Sequence, residues 1–438
     1  MNILKKVNKN YFFIAAIYII FFIGFFFKTY SAGGSKNDFY VYTWNGISAF
    51  KKDLLGSLLN YSQIIGDPNF PLFYIFNAYL NPLNSTQNLY FISSIIIGLF
   101  SVYIFFKILL ITSKSNINHI EIFLTASLIV LLPFYVSRVY FGTSANLGWL
   151  FFLISIYFFV KKNKNRNSKK IYLIYVCIFS ALALYCRPAL VFFPFIFLLQ
   201  LFFLDKNLNN LLIVIFTYFI LAIPGICIIY IWMLNSDVPN IVSTPWAPSN
   251  IGGGYYHYTS YLKNIPIISS YFLFYLIPLI VYGLKVKYFK ISKNDLSIFL
   301  LYFLAQIIIF EIICTKCLLN NWYGGGIFLK INNLFLTNHF TVFLFFSSAG
   351  LVLITNILKQ YFLRNAVVIL PLFLIYGLSN GLYQDYFEPL IIFLIFSNLI
   401  KTNYKDFFFE NLEKLNKIYF YYFVIYLFGS LFYQNLIA

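Results

Sequence analysis

The feature that most restricts this chain is the recurrence of long apolar runs. They fall at about residues 11–27, 89–111, 120–136, 148–160, 171–185, 189–204, 211–234, 267–284, 296–313, 340–358, 366–383, 390–400 and 418–434. A helix needs about 20 apolar residues to cross the hydrocarbon of a bilayer, so runs such as 148–160 and 390–400 must borrow from their flanks. The balance of residues agrees: 61% of the 438 are hydrophobic, 10% are charged, and the mean hydropathy is +0.80. The sequence therefore predicts an all-α polytopic membrane protein of about 13 transmembrane helices, one integral membrane domain over residues 1–438. Tyr11–Phe27 lacks the small-residue cleavage site of a secretory signal and is expected to be a retained first span.

A formal net charge of +18 invites a nucleic-acid reading, but basic residues in such a chain report topology first. With residues 1–10 inside, the inner segments 1–10, 112–119, 161–170, 205–210, 285–295, 359–365 and 401–417 carry 21 of the 31 Lys and Arg. The opposite face carries nine, and Lys107 sits within a span. The expected localisation is thus a bacterial inner membrane with a cytoplasmic N-terminus, and nucleic acid is excluded as a partner.

This orientation places the 28–88 stretch outside as a first extracytoplasmic loop, with further outer loops at 235–266 and 314–339. Connections of such length are uncommon unless functional or disordered, and the 28–88 stretch is too rich in Tyr, Phe, Trp and Leu to be a solvated tail. Acids follow the same asymmetry: Asp38, Asp53, Asp67, Asp237, Asp385 and Glu388 are all assigned to the outer face. Chemistry, if present, is expected there.

Asp38 lies about ten residues beyond the first span, close enough to the membrane to serve as a general base toward a lipid-borne substrate. An alternative is that it caps a short helix starting at Phe39. Asp67-Pro68-Asn69-Phe70-Pro71 is stiffened by two prolines that cannot share a helix interior, which would hold Asp67 and Asn69 at a helix start or in a simple turn. Arg138 and Arg187 each end an apolar run. Arginine costs about 2.5–3.5 kcal/mol at a helix centre, so one facing inward has a partner, and phosphate suits a guanidinium best. Snorkelling to lipid headgroups is the alternative. Asp385 and Glu388, three apart, either share one face or favour a helix dipole.

The remaining motifs are weak. The five cysteines form no framework, and Cys314 and Cys317 lack a redox context. No lysine and hydroxyl residue follow either glycine triplet, so no phosphate-binding loop is indicated. His119, His257 and His339 have no metal-binding spacing, and no cofactor motif appears, although assistance by a divalent cation stays open.

Asn37-Asp38-Phe39-Tyr40, Asn69-Phe70-Pro71-Leu72-Phe73-Tyr74, Arg187-Pro188 and Tyr386-Phe387-Glu388-Pro389 together resemble the GT-C glycosyltransferases, the mannosyl- and aminoarabinose-transferase-like enzymes that use polyprenyl-phosphate sugars. The sequence departs from that pattern where Phe39 follows Asp38 in place of Glu and Asn69-Phe70-Pro71 replaces His-Pro-Pro. The resemblance implies a first outer loop with short interfacial helices, a catalytic base at Asp38, and substrate contacts from Asp67, Asn69, Arg138, Arg187, Asp385 and Glu388. It implies a polyprenyl-phosphate-linked sugar donor, a glycan, lipid or protein acceptor, and membrane lipids as partners. Alternatives are an O-antigen or capsule polymerase, and a lipid or polyanion transporter, which would carry mid-membrane charges and repeated halves.

Overall fold

The computed structural model describes residues 2–27, 32–66, 69–113, 117–164, 170–234, 256–313, 326–335, 339–377 and 384–436. All regular structure among them is helical. Nine described helices are long and apolar enough to cross a membrane: Asn10–Phe27, Gln87–Thr112, Ser144–Lys164, Pro188–Asp205, Leu208–Leu234, Leu262–Lys285, Lys293–Glu311, Thr341–Gln360 and Leu412–Gln434. A bent pair, His119–Leu131 with Pro133–Phe141, makes a tenth when taken as one span. The protein is accordingly a multi-pass membrane protein. Only 11% of the apolar window is buried in Leu208–Leu234 and again in Lys293–Glu311. An apolar surface left that open inside the protein belongs against hydrocarbon.

The other three apolar runs are also helical but shorter. Ile171–Cys186 and Phe362–Gly377 have 16 residues each, and 390–400 yields only Leu390–Phe396. All seven residues of Leu390–Phe396 are buried, which explains its all-round apolar character without lipid contact.

The chain forms two compact units, residues 1–249 with 419–438, and residues 250–418. In the first, Ser144–Lys164 packs between Gln87–Thr112 and Ile171–Cys186, and the latter packs on Leu208–Leu234. The bend at Pro133 follows from its chemistry. Proline lacks an N–H and forces its predecessor out of helical geometry, so Leu132 is extended and the helix turns by 76°. Nine residues later Gly142, at φ +60, closes Pro133–Phe141 in a left-handed conformation that glycine adopts without a Cβ penalty. A span is thereby cut into two short arms, and the second delivers Arg138.

The stretch after the first span is folded, as its aromatic content requires. Short helices at Ser35–Asp38, Trp44–Lys52, Leu54–Leu59, Tyr61–Ile64 and Leu72–Ile75 bury Phe39, Ile47, Phe50, Tyr61 and Tyr74. Phe50 and Tyr74 stack at 6.1 Å, Tyr61 stacks on Trp232 at 5.2 Å, and the Trp232 indole donates to the Leu58 carbonyl at 2.7 Å. These contacts tie the stretch to Leu208–Leu234.

In the second unit, Tyr256–Lys285 and Thr341–Gln360 cross closely through small residues. The Ser269 and Ser347 hydroxyls meet at 3.1 Å, and a Cβ on Gly350 would lie 2.1 Å from the Ser269 carbonyl oxygen. The segments assigned from sequence to outer loops at 235–266 and 314–339 contain more helix than expected: helix has begun by Tyr256, and Gly326–Phe335 forms another.

Candidate functional site

Asp38 ends the four-residue helix Ser35–Asp38 and leads directly into a wider turn over Phe39–Thr43. Its backbone is helical and its side chain makes no capping bond, so it does not cap a helix starting at Phe39. Phe39 fixes its direction. That ring is fully buried, with centroids of Phe91 at 4.7 Å, Tyr90 at 5.9 Å, Trp44 at 6.2 Å and Phe141 at 6.4 Å. With Phe39 locked inward, the neighbouring carboxylate turns toward Arg138, and Oδ2 accepts from the guanidinium Nη1.

Arg138 stands in the last turn of Pro133–Phe141, and its carbonyl accepts the N–H of Gly142. Its side chain is 11% exposed, against 35% for Asp38. The pair therefore bridges a protein interior on the arginine side and solvent on the carboxylate side. An ion pair whose carboxylate is 35% open is worth about 1 kcal/mol or less.

Arg187 is placed by Pro188. The residue before a proline is pushed to extended geometry, so Ile171–Cys186 stops and Arg187 adopts φ −144, ψ 99. It is 7% exposed, and its guanidinium carbon lies 5.8 Å from the Trp149 ring centroid, a cation–π contact. Gly148 admits this approach, because a Cβ there would meet the Arg187 Cβ at 3.1 Å. Gly148 and Trp149 belong to the helix that follows Arg138 after Gly142 and Thr143. Arg187 thus borders the opening turns of Ser144–Lys164, and Pro133–Phe141, which carries Arg138, packs on the same helix.

Asn69 and Phe70 approach from the first loop. The Asn69 carbonyl accepts from the Tyr61 hydroxyl at 2.6 Å, while Phe70 meets Tyr185 edge-on at 5.5 Å and stacks with Trp232 at 6.3 Å. Tyr185, two residues before Arg187, is anchored in turn. Its hydroxyl donates to the Leu221 carbonyl at 2.6 Å and accepts from the Gly225 N–H at 3.1 Å, inserting into the ladder of Leu208–Leu234 beside Pro224. Asp67 lies outside the described residues.

Glu388 belongs to the second unit and is 1% exposed. Its carboxylate accepts from the Tyr275 hydroxyl at 2.6 Å, Gln384 Nε2 lies 3.0 Å from that hydroxyl oxygen, and Gln384 Oε1 accepts from the Ile327 N–H at 3.0 Å. This network holds the 384–389 segment within its own unit. Asp385 lies in the single turn Gln384–Tyr386. Among the described residues, no three His, Cys, Asp or Glu side chains gather to hold a metal ion.

Sequence reasoning singled out the charges but missed their partners. Phe39, Trp149, Tyr185, Tyr275 and Gln384 sit within apolar or aromatic stretches where no pattern distinguishes a positioning side chain from an ordinary core one. The two arginines carried the usable signal, namely a cation at the end of an apolar run, with Pro188 directly after Arg187.

The molecule is thus a multi-pass helical membrane protein in which the stretch after the first span delivers a carboxylate to a largely buried guanidinium. No family model, no curated protein and no solved structure matches this chain.

Proposed function

We propose that the protein is a glycosyltransferase that moves a sugar from a polyprenyl-phosphate donor to an acceptor hydroxyl at the outer face of a bacterial inner membrane. In this reading the 13 apolar segments form the membrane body, and the short helices between the first two spans lie at the membrane interface. The single observation that carries it is the pairing of Asp38 with Arg138: a first-loop acid beside a cation that suits phosphate, with a second cation, Arg187, bordering the helix on which Pro133–Phe141 packs.

Asp38 takes the proton of an acceptor hydroxyl, and that oxygen attacks the anomeric carbon. The bond from that carbon to the phosphate oxygen breaks, and the electron pair leaves on polyprenyl phosphate. Arg138 and Arg187 stabilise the growing charge. Asn69, with Asp67, borders the acceptor from the first loop. The exposed apolar faces of the spans give the prenyl chain a hydrocarbon path to the site.

Cells carrying Asp38→Asn are expected to lose modification of the envelope glycan while inserting the protein at wild-type level. Unchanged modification rejects the base assignment.

A further inference from the structure

We propose that Arg138 is a seat contested by two anions: Asp38 holds it at rest, and the phosphate of the lipid donor displaces Asp38 and so frees the carboxylate to reach the acceptor. This inference rests on the transferase reading and adds to it a device by which the donor arms the base.

Three observations carry it. The Asp38 carboxylate is bonded to Arg138, the same group that the phosphate needs, so the pair as it stands is closed to both tasks. The exposures are unequal, 35% for Asp38 and 11% for Arg138, so the acid is the member that can swing into solvent while the cation stays seated. Among the described residues Asp38 also makes no helix-capping bond, unlike Asp53, which accepts the Gly56 N–H at 2.9 Å, and Asp295, which closes a capping box with Ser292. Releasing Asp38 from Arg138 therefore breaks no helix cap.

A phosphate outcompetes a carboxylate because it offers more oxygens to a planar guanidinium fork and gives charge-assisted bonds to several donors at once. Asp38 would then point to solvent only when a donor is seated. After transfer Asp38 carries the acceptor's proton, and it returns to Arg138 as a carboxylate only once that proton has passed to solvent and the monophosphate has departed. An uncharged lipid cannot trigger the exchange.

The test measures binding of a long-chain polyprenyl monophosphate to the purified full chain, with the corresponding polyprenol as the uncharged control. Wild type, Asp38→Asn, Arg138→Gln and the double variant are compared, each checked for folding by its thermal unfolding midpoint. Removing the competing carboxylate is expected to tighten monophosphate binding by about two- to fivefold in Asp38→Asn, in line with the coupling of a partly exposed pair. The same substitution is expected to change nothing in the Arg138→Gln background, and polyprenol binding is expected to stay constant throughout.

Equal or weaker binding by Asp38→Asn overturns the exchange. So does a tightening that persists in the Arg138→Gln background, because it would then reflect general repulsion. If Asp38→Asn binds no tighter yet abolishes sugar transfer, the exchange falls and the transferase reading stands. If none of the four proteins binds the monophosphate, both fall.

Discussion

Truncating Phe39 to alanine tests whether the carboxylate is aimed by the ring beside it. Phe39 is fully buried, with five aromatic rings whose centroids lie 4.7–6.4 Å away. A buried Phe→Ala change costs about 3–5 kcal/mol, and each aromatic pair adds about 0.5–1.5 kcal/mol beyond its area. We take about 3 kcal/mol, the low end, because the short helices around Phe39 can partly collapse into the gap. Folding units of 150–250 residues lose roughly 2–4 °C of unfolding midpoint per kcal/mol, which gives a drop of roughly 6–12 °C. Phe39→Leu keeps most of the volume and costs less than about 1.5 kcal/mol. The assay is thermal unfolding in detergent followed by tryptophan fluorescence, with sugar transfer measured well below the lower midpoint. Phe39→Ala is expected to reduce transfer at least about tenfold, which needs only about 1.4 kcal/mol of misplacement of the neighbouring acid. A midpoint within roughly 2 °C of wild type, or full transfer by Phe39→Ala, would refute the reasoning.

Three further outcomes are expected. Lys405, outside the long spans, is buried, and burial pulls its pKa from 10.5 down to about 8, with Arg364 nearby acting in the same direction and Asp406 opposing. The folded state then resists protonation by roughly 3 kcal/mol, so stability relative to Lys405→Met should rise as pH climbs from about 8 toward 10.5; a parallel pH dependence of the two midpoints would contradict this. Tyr275→Phe removes a donor to the buried Glu388 carboxylate and should lower stability by about 1.5–3 kcal/mol, measured by unfolding, with a neutral result excluding the network as a structural tie. A cysteine at the exposed Gln63 should react with an impermeant thiol reagent in intact cells and one at Asn163 should not, a reversed pattern overturning the proposed orientation.

What was legible in the sequence follows from how each signal is encoded. Apolar runs and basic asymmetry are long-range patterns carried by many residues, so the helical membrane class could be read directly. Arg138 and Arg187 were marked as cations at the ends of apolar runs, and Pro188 marked a turn after Arg187, signals that act locally and need no knowledge of the fold. The Asp38–Arg138 pairing spans 100 residues and depends on a 76° bend that Pro133 permits but does not aim. Glu388 shows the converse. Its position beside Asp385 and before a proline hinted at a surface acid, whereas Tyr275, 113 residues away, encloses it in a buried network. The run 390–400 was equally ambiguous, because a wholly buried helix and a lipid-facing one have the same composition.

The most direct measurement is the rate at which purified protein in lipid nanodiscs transfers labelled sugar from a polyprenyl-phosphate donor. With wild type active, Asp38→Asn and Arg138→Gln are each expected to fall by at least about a hundredfold while keeping wild-type unfolding midpoints, as loss of a general base or of a charge-stabilising donor costs. Transfer by folded Asp38→Asn at the wild-type rate would contradict the account.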